Sequence, residues 1–249
     1  MRAAHYCTDE ELEYVRCRAR IEPNQPFRFD DFYRVAHLPL IAPEHPAALE
    51  QLVQFDYRRG RYDKPRYSLV LPVDAGELQS STSFRELERE LRTYGFAAKI
   101  AWELVGQRTD KLHVTLAGGL PEAGVEACAA DVKSFLERRG PLRYRLGGPF
   151  CGTKNRGRIY FTTYPEQTEG GDAFALLQEV VHAPRTGLYL LGYYNLRDEL
   201  TPAEAAELQA FLDRWRVAEL AELAATSLLI LATHDDLALD SRVVARIEA

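Results

Sequence analysis

Apolar residues recur along this chain in two rhythms, and each change of rhythm marks an element. Tyr67-Ser68-Leu69-Val70-Leu71 predicts a strand that Pro72 stops. Ser83-Phe84-Arg85-Glu86 has the form of a capping box, and Phe84, Leu87, Leu91 and Tyr94 make the apolar stripe of a helix. Residues 97–104 read as a strand or hairpin arm. Leu112-His113-Val114-Thr115-Leu116 is a short β-type run halted by Gly118-Gly119. Val125, Cys128, Val132 and Phe135 mark a second amphipathic helix, and residues 142–146 and 158–163 read as strands around a turn-rich stretch, 152–157.

The second half follows the same plan. Asp172 caps a helix that carries Phe174, Leu177 and Val181, and residues 188–191 form a strand. Thr201-Pro202-Ala203-Glu204 is a capping box with proline at the first helical position. Leu208, Phe211, Leu212 and Trp215 give that helix its buried face, and residues 227–232 and 242–247 are two closing strands.

Residues 1–62 differ. Thr8-Asp9-Glu10-Glu11 looks like a capping box, with Leu12 and Val15 at helical spacing, but Pro23, Pro26, Pro39, Pro43 and Pro46 then interrupt the pattern. Residues 47–55 suit a short helix. This predicts an N-terminal extension of helices and loops, either lying over the rest as a lid or docking on its back.

Composition narrows the class. The chain has 249 residues, 46% hydrophobic and 27% charged, which is enough to bury a core. A net charge of -6 argues against a generally basic nucleic-acid-binding surface and leaves room for a local patch. One such patch is Arg58, Arg59, Arg61, Lys64 and Arg66 interleaved with Tyr57, Tyr62 and Tyr67, a mixture suited to stacking and phosphate contacts or to a charged linker. Cys7, Cys17, Cys128 and Cys151 show no metal-ligand spacing, so four reduced thiols are expected. Met1-Arg2-Ala3-Ala4-His5-Tyr6 leads into no apolar run, and no stretch approaches membrane-spanning length. A cytoplasmic location without a signal peptide or membrane contact is expected; the oligomeric state is open.

Two segments echo each other. His113-Val114-Thr115-Leu116-Ala117-Gly118-Gly119-Leu120 and Tyr193-Tyr194-Asn195-Leu196-Arg197-Asp198-Glu199-Leu200 share two leucines in register, and both lead from a strand end into an amphipathic helix. With that order of elements, Leu112-His113-Val114-Thr115-Leu116 resembles the first motif of the 2H phosphoesterases (the 2′,5′ RNA ligase or LigT-like proteins). The ending from Ser227 to Ile247 resembles that family's closing hairpin. The resemblance covers about residues 65–249.

The resemblance implies an α+β fold. Two pseudo-symmetric lobes of antiparallel sheet, about 63–165 and 166–249, would carry outer helices around a central cleft. It implies a metal-independent phosphoesterase, without cofactor, acting on RNA ends, 2′,3′-cyclic phosphates or small cyclic or 2′,5′-linked nucleotides. In that family each lobe carries a His-x-Thr or His-x-Ser motif; one histidine is the base, the other protonates the leaving oxygen, and the hydroxyls hold the phosphate.

Strand alternation places His113 and Thr115 on one face and Leu112, Val114 and Leu116 on the other. Histidine suits proton transfer because it titrates near neutrality. The second motif position reads Tyr193-Tyr194-Asn195, so Tyr193 stands in for the second histidine and Asn195 for the second hydroxyl. Asn195 can donate to a phosphate. Three readings stay open: a changed acid–base pair, a degenerate site that only binds a nucleotide or RNA end, or a different register between the repeats. Lys154, Arg156 and Arg158 are candidate phosphate-binding cations in a glycine-flanked loop, and His234 lies in the turn of the closing hairpin.

Overall fold

Proline keeps the first sixty residues in short pieces: helices α1 (Tyr14–Cys17), α2 (Asp31–Ala36) and α3 (Leu38–Ile41), and a two-residue strand β1 (Tyr57–Arg58). The computed structural model describes residues 4–168 and 170–248. Met1, Arg2 and Ala3, part of the segment read as lacking a signal peptide, lie outside the described residues.

The first capping box forms by half. Thr8 N–H donates to the Glu11 carboxylate at 2.9 Å, yet helix begins only at Tyr14. The chain leaves it at once, because Ala19 N–H donates to Cys151 O and Thr153 N–H to Cys17 O. Residues 47–55 form turns, not the expected helix: Leu49 N–H goes to Arg34 O, and Glu50 O accepts from Arg59.

Next come β2 (Arg61–Pro72), α4 (Ala75–Ser80), α5 (Thr82–Leu91), a 3-10 turn (Gly95–Lys99), α6 (Trp102–Gln107) and β3 (His113–Leu120). The cap of α5 is Ser81, whose hydroxyl accepts from Phe84 N–H, two residues ahead of the expected box. Phe84, Leu87 and Leu91 are its buried stripe. Residues 97–104 do not form the expected strand: they close the 3-10 turn, pass through Ile100, which is extended and bridged to Leu196, and Ala101, and enter α6 at Trp102. Gly118 and Gly119 do not end β3. Gly118 pairs with Ser68 and Leu120 with Tyr67, which leaves Gly119 as a bulge at φ +71°, a conformation that suits glycine.

The remainder is α7 (Val125–Arg139), β4 (Leu142–Phe150), β5 (Arg158–Pro165), the small pair β6 (Gln167–Thr168) and β7 (Gly171–Asp172), α8 (Ala173–Val180) and β8 (Leu190–Asn195). Then follow α9 (Pro202–Trp215), β9 (Glu219–Ala225), β10 (Ser227–Asp235) and β11 (Ser241–Glu248). Both expected caps are present: Asp172 accepts from Phe174 and Ala175 N–H, and Thr201 and Glu204 form a reciprocal capping box.

Among the described residues the main sheet runs β11-β10-β2-β3-β8-β5-β4-β9, with β1 on β2, and every pairing is antiparallel. The fold is α+β: the sheet curls into a half-barrel that carries several helices. The β3–β8 pairing is the sparsest in it. It rests on the single pair Val114–Leu191, whereas β2–β3 and β5–β8 are paired along most of their length.

The N-terminal residues share the core of the rest. Cys7, Leu12, Tyr14, Ile21, Phe27, Phe29, Tyr33 and Leu38 belong to one apolar cluster with Leu71, Val114, Leu191 and Phe211. Tyr14 hydroxyl lies 2.7 Å from both Thr163 O and Tyr189 O, between which it shares its one proton, and it accepts from Thr163 N–H. Tyr33 hydroxyl donates to Leu196 O at 2.6 Å. All four cysteines are free, and no helix among the described residues is long and apolar enough to cross a membrane.

Candidate functional site

Strand alternation sorts the His-x-Thr segment cleanly. Val114 and Leu116 are buried in the core, while Thr115 is exposed on the opposite face and His113 is half-buried beside it. β2 adds Ser68 and Val70 to that face, since Val70 pairs with Thr115. The result is a cavity of about 220 Å³ lined by His113, Thr115, Ser68, Thr233, Tyr62, Arg66 and Asp236. A second cavity of about 220 Å³ meets His113 as well and is more apolar, with Leu112, Leu229, Leu231 and Val243.

The imidazole of His113 is oriented by its own strand. Nδ1 lies 2.7 Å from Lys111 O, and a carbonyl only accepts, so Nδ1 carries the proton and Nε2 keeps its lone pair. Burial pulls the His113 pKa down to about 4, and the charges of Arg108 and Arg158 act in the same direction. The ring is therefore neutral at pH 7, in the form that accepts a proton.

Beneath the cavity lies the turn that joins β10 to β11, and Asp235 folds it. Asp235 Oδ1 accepts from Leu237 and Leu239 N–H, and Oδ2 from Asp240 N–H. Three cations take up the turn's carbonyls. Arg158 Nη1 donates to Asp236 O at 3.0 Å, Arg108 Nε to Leu237 O at 2.8 Å and Lys111 Nζ to Leu239 O at 2.8 Å. Arg108 is 1% exposed, and burial together with Arg158 lowers its pKa to about 9.

Asp236 lines the cavity, and its carboxylate accepts from two phenols, Tyr57 at Oδ2 (2.6 Å) and Tyr62 at Oδ1. Burial and the neighbouring Asp56 push its pKa up to about 6 against the opposing pull of Tyr57. Arg66, on the same wall, is paired with Asp56 and lies over the Tyr62 ring at 3.7 Å. So Tyr62 and Arg66 of the basic and aromatic run line the His113 cavity, and Tyr57 is joined to it through the Asp236 carboxylate.

The other expected site residues are elsewhere. The β5–β8 register shifts so that Ile159 faces Tyr194 and Tyr160 faces Gly192, which leaves Tyr193 as the extra residue of a bulge. Its ring packs on Phe84 and Phe161 under α5, and it is 2% exposed. Asn195, opposite Arg158, is 1% exposed, and its main-chain O accepts from Ala101 N–H. Neither lines the cavity with His113. Lys154 is exposed, and Arg156 lies over the Phe27 ring with its N–H on Asp30. Arg158 reaches the site indirectly, through Asp236 O. His234 stays at the end of β10, with Nδ1 3.4 Å from Tyr62 O.

Sequence reasoning passed over Asp236. Its signal was the doubled aspartate in Thr233-His234-Asp235-Asp236: one carboxylate folds the turn, and the next is left to the tyrosines beside the cavity. Among the described residues no group of three or more His, Cys, Asp and Glu side chains is placed to hold a metal ion. Compared with known proteins, the chain matches no family model and no curated protein.

Proposed function

We propose that this chain is a metal-independent phosphoesterase of the 2H kind, acting on RNA ends, 2′,3′-cyclic phosphates or small cyclic or 2′,5′-linked nucleotides. The observation that carries the reading is His113: its Nδ1–H is fixed on Lys111 O, and it shares one cavity with Thr115. Nε2 takes the proton of the attacking water or hydroxyl. Thr115 and Ser68 hydroxyls donate to the phosphate oxygens, and Arg66 supplies the nearby positive charge.

The strand order supports two pseudo-symmetric lobes, divided otherwise than at residue 165, because β4 and β5 lie with β8 while β10 and β11 return to β3. On one side of the Val114–Leu191 seam lie β11-β10-β2-β3, and on the other β9-β4-β5-β8. Each inner strand, β3 or β8, leads into a long helix, α7 or α9.

The test is hydrolysis with EDTA present, by wild type and His113→Ala, of 2′,3′-cyclic nucleotides and of 2′,5′- and 3′,5′-linked oligonucleotides. His113→Ala is expected to be about 10²- to 10⁴-fold slower. Full activity in that variant rejects the role of His113.

A second reading is a nucleotide- or RNA-binding module that has lost turnover. The burial of Tyr193 among Phe84 and Phe161 favours it, since no second histidine or substitute from β8 reaches the cavity. Tight nucleotide binding by calorimetry with no product after long incubation decides for that reading.

A further inference from the structure

We infer that Asp236 is the second proton-transfer group of this cavity, the acid that protonates the leaving oxygen while His113 takes the proton of the attacking water. The inference rests on the phosphoesterase reading and supplies the partner that β8 does not provide.

Asp236 and His113 line the same cavity, one from the turn after β10 and the other from the start of β3. The turn is rigid because the Asp235 carboxylate holds three of its N–H groups, while Arg158, Arg108 and Lys111 hold three of its carbonyls. A side chain on such a turn is held ready for its task.

The partners of the carboxyl group decide its chemistry. Arg158, Arg108 and Lys111 spend donors on the turn's main chain, and Arg66 pairs with Asp56. Among the described residues the only basic nitrogen within 4.0 Å of the Asp236 carboxylate is His37 Nε2, at 3.9 Å. His37 is fully buried, and burial holds it well below its ordinary pKa, so it stands there neutral. The groups facing Asp236 are thus the phenols of Tyr57 and Tyr62, neutral His37, and Asp56, whose charge opposes ionisation. A carboxyl that is buried, beside Asp56 and without a cation on it carries a proton at mildly acid pH against the pull of Tyr57, at a value of about 6.

The step balances. A water oxygen bonds to phosphorus, and its proton passes to His113 Nε2. The bond from phosphorus to the leaving oxygen breaks with its electron pair on oxygen, and that oxygen takes the Asp236 proton. Solvent then returns His113 and Asp236 to their starting states.

The experiment uses wild type, Asp236→Asn and His113→Ala with EDTA, on 2′,3′-cyclic AMP and on a p-nitrophenyl phosphodiester. The p-nitrophenolate departs without a proton, so only the cyclic nucleotide needs the acid. On the cyclic nucleotide, wild type is expected to give a bell-shaped pH profile with limbs near 4 and 6, the values of His113 and Asp236. Asp236→Asn should lose about 10²- to 10⁴-fold on that substrate together with the alkaline limb, yet stay within a few-fold of wild type on the nitrophenyl ester. His113→Ala should lose both. Equal losses on the two substrates in Asp236→Asn, no loss at all, or a wild-type profile without an alkaline limb near 6 overturns the role of Asp236 and leaves the phosphoesterase reading standing. No turnover of either substrate by wild type overturns both.

Discussion

The guanidinium of Arg158 lies directly on Gly192, at the place where any other residue would carry its Cβ. Gly192 O also accepts from Arg108 Nη2 at 3.1 Å, so one residue without a side chain seats both buried arginines under the turn that carries Asp236. Gly192→Ala is therefore expected to displace Arg158 from Asp236 O and to cost about 1–3 kcal/mol, the usual penalty for overpacking. Urea unfolding measures the loss. A variant as stable as wild type would show that Arg158 has another seat.

Tyr193 separates the two ways of aligning the internal repeat. Its ring is packed against Phe84 and Phe161, and the bulge turns it away from His113. Tyr193→Phe keeps that packing and should leave hydrolysis unchanged, while Tyr193→Ala should cost about 3–5 kcal/mol of stability through the cavity it opens. A large fall in turnover for Tyr193→Phe, with stability intact, restores Tyr193 as the acid.

His37 ties stability to pH. It is 0% exposed, and among the described residues neither ring nitrogen makes a hydrogen bond; burial and the charges of Arg158 and Arg108 push its pKa well below the ordinary value. The unfolded chain binds a proton there below about pH 6.5 and the folded chain does not, so stability falls as pH drops through that value. His113, at about 4, adds a second contribution of the same sign. Asp236, raised to about 6, acts oppositely, because its folded form takes up a proton first. Removing the imidazole in His37→Phe, which retains a ring to stack on Tyr33, should flatten the acid decline by about 1.4 kcal/mol per pH unit. Urea midpoints between about pH 7.5 and 5 check this; parallel declines for the two proteins would contradict it.

Features set by neighbouring residues were legible in the sequence. The box of Thr201 and Glu204 and the cap at Asp172 need only a few consecutive positions, and the burial of Val114 and Leu116 follows from alternation alone. Features set by distant pairing were not. Glu219-Leu220-Ala221-Glu222-Leu223-Ala224-Ala225 is rich in helix formers, yet it is a strand, because it pairs along its length with β4. In residues 97–104 only Ile100 keeps the expected extended pairing, a single bridge to Leu196 between the 3-10 turn and α6.

The candidate site divides in the same way. His113 and Thr115 come from one strand and could be read together. The direction of Tyr193 depends on a register shift against β5, which no local pattern announces. Asp236 meets Tyr57 across 179 positions of chain, and only the folded sheet brings them together.

That span has a consequence for the order of events during synthesis. Tyr14, Tyr33 and Tyr57 leave the ribosome early, but their hydroxyls wait for Thr163 and Tyr189, for Leu196 and for Asp236. Residues 14–57 cannot settle until the segments around β5 and β8 and the turn after β10 exist, so folding does not proceed lobe by lobe, and rates governed by such non-local contacts are slow. The cavity wall formed by Tyr62 and Asp236 is among the last parts to close, so a nascent chain halted before β10 holds His113 without the carboxyl that faces it.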